Sequence, residues 1–276
     1  MIQGIDDCTT LANGVEMPWL GLGVFRASEG GEVEQAIQWA IERGYRSIDT
    51  ATVYENEEGV GEGVRRGGVP RDELFITTKV WNSDQGYDST LKAFDASLER
   101  LGMEYVDLYL IHWPVAGKFK NTWRALEEIY GSGKAKAIGV SNFLVPHLED
   151  LLADAKVVPM VNQVEFHPYL VQPELLAFCD EHDIRVEAWS PIMKGRAAKE
   201  PTLTKLAAKY GKSAVQLVLR WDLQHEVVTI PKSVHRDRIA ENADIFDFEI
   251  SNDDMEAIDG LDRGERFGPD PNNFDF

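Results

Sequence analysis

A short, almost continuously apolar run followed by an amphipathic helical pattern recurs eight times along this chain, and no other sequence feature constrains the fold as strongly. Such apolar runs are typical of strands that are covered on both faces of a parallel sheet. Eight consecutive strand–helix units close most simply into a (β/α)8 TIM barrel, for which a length of 276 residues is typical. The expected strands are residues 20–25, 47–50, 74–80, 106–112, 135–141, 159–165, 185–190 and 227–233, and the expected helices are 33–44, 57–67, 89–102, 122–133, 146–155, 173–183, 201–211, 213–225 and 235–246.

Two additions to this plan are expected. Asn13-Gly14 lies between short extended runs within residues 9–17 and predicts an N-terminal β-hairpin with a two-residue turn. An extra helix precedes the eighth strand, because two helical patterns follow the seventh. No Pro/Gly/Ser-rich linker divides the chain, so we expect residues 1–276 to form a single domain. A doubly wound open sheet is the alternative architecture.

The chain is strongly acidic, with 47 acidic and 28 basic residues and a formal net charge of −19. Such a charge repels nucleic acids and anionic membranes, which makes both poor partners. The acidic residues are dispersed rather than collected in a tail, and two interpretations stay open. They form either an ordinary solvated surface or the surface of a halophilic protein in a high-salt cytoplasm, where counterions screen the repulsion.

Several features predict a cytoplasmic protein. No apolar run approaches the roughly 20 residues of a membrane span, and the N-terminus has no basic segment followed by an apolar one. Cys8 and Cys179 are too few for a disulfide framework, and neither lies in a metal-binding spacing. No long apolar stripe is evident, so we expect a monomer.

Polar residues follow the apolar runs at the point where each strand should end. In TIM barrels the carboxyl ends of the strands build the active site, so residues from different strands should converge there. Each of them has an alternative structural role when taken singly, such as a helix cap or a satisfied core histidine. The set comprises Asp49 with Tyr54 in the next loop, Lys79 with Trp81, His112 with Trp113, Ser141 and Asn142, Asn162 and Gln163, Trp189 and Ser190, and Lys232 and Ser233.

Four of these residues suit acid–base chemistry. A tyrosine phenol has a pKa near 10, and a neighbouring ammonium such as that of Lys79 lowers it by stabilising the phenolate. Asp49 can hold Lys79 charged and oriented. His112 is placed to hydrogen-bond the oxygen that gains charge. No metal site is indicated by the spacing of Cys, His or acidic residues.

The motifs around these residues resemble those of the aldo-keto reductases. The resemblance rests on SIDTATVYENE, ITTKVWN, LIHWP, GVSNF, NQVEFHP, AWSP and IPKSVHRDRIAEN, and it extends over nearly the whole chain. The short loop after HWPV and the compact C-terminus are most similar to the microbial branch of 2,5-diketo-D-gluconate and glyoxal-type reductases. The resemblance implies an NADPH-dependent reductase of aldehydes and ketones.

The resemblance also implies roles for individual residues. Asp49, Tyr54, Lys79 and His112 would be the catalytic tetrad, with Tyr54 as the general acid. Phe25, Trp81, His112 and Trp113 would line the substrate site, with residues near Phe267 at its rim. The cofactor would be bound through its nicotinamide by Ser141, Asn142, Gln163, Trp189 and Ser190, through its 2′-phosphate by Lys232, Ser233 and Arg238, and through its adenine by Glu241 and Asn242.

Other functions remain as alternatives. An NADPH-binding regulatory subunit with the same fold would bind the cofactor with little turnover. A metal-assisted hydrolase or a Schiff-base aldolase using Lys79 would share the barrel. The segment Gly59-Val60-Gly61-Glu62-Gly63 lies in a helical pattern and lacks the full GxGxxG spacing. We therefore interpret it as a closely packed helix rather than a phosphate-binding turn.

Overall fold

The computed structural model describes residues 2–276 and contains a barrel of eight parallel strands. Each strand pairs with the next along the chain, and the first and last are joined by bridges from Leu20 to Thr229 and from Gly23 to Lys232. The predicted (β/α)8 architecture is therefore confirmed. The barrel strands are β3 (Gly21–Gly23), β4 (Ser47–Asp49), β5 (Phe75–Val80), β6 (Val106–Ile111), β7 (Ala135–Ser141), β8 (Val161–Glu165), β9 (Arg185–Trp189) and β10 (Val228–Thr229).

Helices follow the strands and cover the barrel. Their apolar faces pack on the strands, which explains why β5 and β6 are buried along their whole length. Two helices separate β9 from β10, as predicted. No helix in residues 2–276 is both long and apolar enough to cross a membrane. The helices are α1 (Gly31–Arg43), α2 (Glu57–Arg66), α3 (Tyr87–Leu101), α4 (Phe119–Gly131), α5 (Val145–Leu152), α6 (Pro173–Glu181), α7 (Pro201–Lys209), α8 (Ala214–Gln224), α9 (Arg236–Asn242) and α10 (Asn252–Asp259).

The N-terminal hairpin is present, but its connection is longer than predicted. Strands β1 (Cys8–Thr10) and β2 (Glu16–Pro18) are antiparallel, and Leu11 N donates to Val15 O beyond their ends. The connection is therefore three residues, with Gly14 in the left-handed conformation at φ 86°. Only the glycine of the Asn-Gly pair has a positive φ, which is the pattern of a three-residue loop rather than a two-residue turn.

The C-terminal helices differ from the prediction of one last helix over residues 235–246. Helix α9 stops at Asn242, because Gln216 Nε2 donates to the carbonyl oxygens of Glu241 and Asp244 and replaces helical partners there. A further helix, α10, was missed because its acidic residues resemble a solvated surface run. The sequence feature that could have predicted this helix is Ser251, the N-cap residue, whose hydroxyl accepts a hydrogen bond from Asp254 N.

The glycines of helix α2 allow it to pack closely, as predicted. A Cβ on Gly61 would lie 2.0 Å from the carbonyl oxygen of Leu101, and one on Gly59 would lie 2.5 Å from Val33. Neither distance leaves room for a side chain. The glycine-rich segment is therefore a packing surface of the helix.

Candidate active site

A buried ion pair lies at the carboxyl-terminal end of the barrel, which we call the barrel mouth. Lys79 ends its strand beside Asp49, and Lys79 Nζ donates to both carboxylate oxygens of Asp49 at 2.7 and 2.8 Å. A third bond, of 2.8 Å, joins Nζ to the carbonyl oxygen of Thr50, so all three ammonium protons have acceptors. Burial is the largest single influence and opposes the charge, but Asp49, Tyr54 and Glu187 together outweigh it and raise the pKa of Lys79 above its usual value. The amine is therefore held as an ammonium ion.

Tyr54 lies above this pair, on a 3₁₀ turn (Thr52–Tyr54) that follows β4. Lys79 Nζ lies 5.1 Å from the centre of the phenol ring. The sequence predicted a lowered pKa for Tyr54, and this is wrong for the structure as it stands. Burial raises the pKa above 10.0, and the charge of Lys79 offsets only part of that effect. Tyr54 is consequently a neutral phenol that carries a proton.

His112 follows β6 and faces the same space. Its ring lies edge-on to the rings of Trp81 and Tyr54, with centres 5.1 and 5.8 Å apart. Burial and the charge of Lys79 hold the pKa of His112 well below its usual value, so the imidazole is neutral. Its buried Nδ1 has no hydrogen-bond partner within residues 2–276.

Strands β7, β8 and β9 end in a connected polar group beside the tetrad. Ser141 Oγ donates to the carbonyl oxygen of Gln163 at 2.8 Å, and Asn142 Nδ2 donates to the carbonyl oxygen of His112 at 2.9 Å. Trp189 Nε1 donates to Asn142 Oδ1 at 2.8 Å, and Ser190 follows at a positive φ of 54°. The structure therefore brings these five residues together with His112.

Gln163 joins this group to the ion pair. Its Nε2 donates to Asp49 Oδ2 at 2.8 Å and to Glu187 Oε2 at 2.6 Å. Sequence analysis missed Glu187, which is fully buried in β9. The sequence signal that could have revealed it is a glutamate in the middle of an otherwise apolar strand pattern, because acidic side chains are rarely fully buried.

Aromatic side chains form the walls of the barrel mouth. Phe25 packs on Tyr54 with ring centres 5.0 Å apart and is half-exposed. Trp81 and Trp113 both contact Phe276, at 5.7 and 5.2 Å between ring centres. Sequence analysis missed Phe276 and its neighbour Phe274, which also packs on Trp113. The sequence signal that could have revealed them is their spacing, because aromatic residues two positions apart in an extended segment point to the same side.

The expected rim residue Phe267 lies beside the ends of β8 and β9. Its ring packs on His167, with centres 5.0 Å apart, and beneath the guanidinium of Arg196. Its backbone is held by Glu165, whose carboxylate accepts from Phe267 N and Gly268 N. This carboxylate fixes the C-terminal segment against Trp189, the aromatic side chain nearest to Gly268.

The residues expected to bind a phosphate lie at one side of the mouth and do not contact the tetrad. Lys232 pairs with Gly23 in the barrel wall, and Arg238 lies on α9, whose seven residues also include Glu241 and the buried Asn242. Lys232 and Arg238 are exposed, and neither forms an ion pair within residues 2–276. Ser233 is buried, and its Oγ accepts from His235 N.

Comparisons with known proteins agree with this geometry. A sequence profile of the Aldo/keto reductase family matches residues 20–263. The chain is 59% identical over 276 residues to the glyoxal reductase of Bacillus subtilis (strain 168), with 100% of both chains covered. It is 46% identical over 268 residues to the methylglyoxal reductase DkgA of Escherichia coli (strain K12), covering 96% of this chain and 97% of that protein. The crystal structure of a mutant of Gox0644 in complex with NADPH is 44% identical, with a TM-score of 0.93 and 98% of each chain covered. The chain therefore belongs to the aldo/keto reductase family.

Proposed function

We propose that the protein is an NADPH-dependent oxidoreductase that reduces aldehydes and ketones to alcohols, with Tyr54 as the general acid. The observation that carries this proposal is the buried Lys79–Asp49 pair beneath a neutral Tyr54. An ammonium in this position stabilises the phenolate that forms when Tyr54 gives up its proton. Related proteins named glyoxal reductase and methylglyoxal reductase support the same reaction class.

The side chains at the barrel mouth fit a phosphorylated nicotinamide cofactor. Within residues 2–276 no hydrogen bond uses Gln163 Oε1, which leaves an acceptor for a carboxamide, and Ser141 and Asn142 lie beside it. Within residues 2–276 neither Lys232 nor Arg238 forms an ion pair, so two cations are available for a phosphate in a chain of net charge −19. Trp189 offers a ring for stacking, with Ser190 next to it, and Ser233, Glu241 and Asn242 would complete the phosphate and adenine contacts. When bound, the cofactor supplies the hydride for the carbonyl carbon.

The tetrad residues donate the proton, stabilise the phenolate that results and orient the carbonyl group. Tyr54 donates its proton to the carbonyl oxygen as negative charge develops there. Lys79, held by Asp49, stabilises the resulting phenolate. His112 is neutral because of burial, so it orients the carbonyl oxygen by a hydrogen bond rather than by charge.

The aromatic walls of the site suit many aldehydes and ketones. Phe25, Trp81 and Trp113 surround the tetrad, and Phe276 narrows the space between the two tryptophans. We propose aldehydes, dicarbonyls and sugar-type carbonyls as the substrate class, consistent with the names of the two reductases.

The test is NADPH oxidation with a panel of aldehydes and dicarbonyls, using wild type and Tyr54→Phe. Removal of one hydroxyl should leave the NADPH dissociation constant unchanged and lower kcat by about 100-fold or more, since a general acid typically contributes that much. Unchanged turnover in the variant would refute the role of Tyr54. Tight NADPH binding without oxidation of any substrate would instead support the regulatory subunit.

The remaining properties that we propose concern the whole molecule. We propose a monomeric, cytoplasmic protein whose residues 1–276 form one domain and which binds no nucleic acid, because its charge repels phosphates. The acidic surface also suits a high-salt cytoplasm. Unfolding temperatures that rise from low to molar KCl would support halophilic adaptation, whereas equal temperatures would exclude it.

A further inference from the structure

Glu187 is a buried acid that the reaction itself does not use. It lies on β9, one layer below Trp189, and none of its surface reaches solvent. Its Oε2 accepts from Gln163 Nε2 at 2.6 Å, and its Oε1 has no partner within residues 2–276. A buried carboxyl group held by a single bond is costly, so its presence needs an explanation.

The geometry around Gln163 offers one. An amide has two N–H groups on one side and an oxygen on the other, and only hydrogen-bond partners decide which way it points. Here both N–H groups are used by acceptors on the inner side, Asp49 Oδ2 at 2.8 Å and Glu187 Oε2 at 2.6 Å. Two bonds on one nitrogen fix the plane of the amide, whereas one bond would let it swing. With the nitrogen turned inward, Oε1 is turned towards the barrel mouth.

We propose that Glu187 is a positioning residue that locks the Gln163 amide so that its oxygen accepts from the carboxamide of the nicotinamide cofactor. Glu187 does not touch the cofactor or the substrate. It acts by orienting the Gln163 amide, and Asp49 accepts the second hydrogen bond from the same amide nitrogen. This inference rests on the proposed NADPH-dependent function.

The charge state of Glu187 agrees with this role. Burial, followed by the negative charge of Asp49, raises the pKa of Glu187 to about 8, so the carboxyl group is mostly protonated at neutral pH. A neutral acceptor beside Asp49 orients the amide without adding a second buried negative charge. Glutamine is the closest mimic of this state, because its amide oxygen can accept the same bond.

The chain provides a matched control in Asp222 on α8. This carboxyl group is also fully buried, accepts one side-chain bond, from Thr229 Oγ1 at 2.7 Å, and has one oxygen without a partner within the described residues. Burial raises its pKa well above the usual value. Within residues 2–276 no side-chain hydrogen bond or ion pair joins Asp222 to Gln163 or to the tetrad. Replacing it tests the general effect of removing a buried acid.

The experiment compares wild type, Glu187→Leu, Glu187→Gln and Asp222→Leu by equilibrium binding. Three ligands are titrated: NADP⁺, its 3-acetylpyridine analogue, which lacks the carboxamide N–H groups, and adenosine 2′,5′-bisphosphate, which lacks the nicotinamide. Loss of one orienting bond should raise the Kd of Glu187→Leu for NADP⁺ about tenfold. Its Kd for adenosine 2′,5′-bisphosphate should not change, and its preference for NADP⁺ over the acetylpyridine analogue should largely disappear.

The other variants separate positioning from folding. Glu187→Gln should restore the wild-type preference, and Asp222→Leu should keep it even if its unfolding temperature falls. An unchanged preference in Glu187→Leu, or an equal loss in Asp222→Leu, would overturn the assignment. A wild-type protein that does not bind NADP⁺ would instead refute the proposed function. If Glu187→Leu does not fold, the same comparison is made with Glu187→Met, whose side chain is unbranched and carries no carboxylate acceptor.

Discussion

Replacing Glu187 by glutamine should stabilise the protein, and the gain should grow with pH. In the folded protein the pKa of Glu187 is raised from 4.5 to about 8 by burial and by Asp49. Between these two values the folded state holds a proton that the unfolded state has lost. Stability contributed by this group is therefore complete below about pH 4.5 and is lost as the pH rises towards 8.

The magnitude follows from the two pKa values. Each pH unit between them changes the free energy of unfolding by about 1.4 kcal/mol. From pH 5 to pH 9 the wild type should lose about 4 kcal/mol relative to Glu187→Gln. For a chain of this size that difference corresponds to roughly 10 °C in the unfolding temperature.

The assay is thermal or urea unfolding of both proteins at several pH values from 5 to 9. Taking the difference between them removes the titration of every group they share. Lys79 and Tyr54 do not interfere, because their pKa values are raised above 10.5 and 10.0. A difference that stays constant across this range, or one that shrinks as the pH rises, would refute the reasoning.

Three further predictions concern the ion pair, the stacking tryptophan and the phosphate site. Lys79→Met leaves Asp49 charged and buried, so it should lower the free energy of unfolding by about 3–5 kcal/mol, and adding Asp49→Leu should recover part of that loss in urea unfolding. Gly268→Ala places a Cβ 2.3 Å from the ring of Trp189, so it should displace the ring, lower stability by about 1–3 kcal/mol and change the tryptophan fluorescence; an unchanged spectrum would contradict this. Lys232→Ala should weaken NADPH binding about tenfold to 100-fold and leave NADH binding unchanged, as measured by titration. Equal effects on both cofactors would show that Lys232 does not bind the 2′-phosphate.

Much of the site was predictable because a parallel barrel collects the ends of its strands. Once eight strand–helix units are recognised, residues such as Lys79 and His112 must lie near each other although they are far apart in sequence. Glu187 was not predictable in this way. The role of a glutamate within an apolar run cannot be inferred until the strand register is known. The register places Glu187 Oε2 2.6 Å from Gln163 Nε2, which also donates to Asp49.

The pKa of Tyr54 shows a second limit. The sequence suggested that Lys79 would lower it, and the charge of Lys79 does act in that direction. Burial acts in the opposite direction and is the larger effect. Desolvation depends on every atom packed around the phenol, so no local pattern reports it.

The sequence by itself therefore determined the fold class, the order of elements and the residues that meet at the barrel mouth, because hydrophobic periodicity and strand order are local properties of the chain. Tertiary structure alone decided the ends of α9 and the existence of contacts such as Phe276 with Trp81. It also decided which acids are neutral and which way the Gln163 amide points. These properties arise from groups distant in sequence, whose energies depend on burial and on short hydrogen bonds that only the folded chain creates.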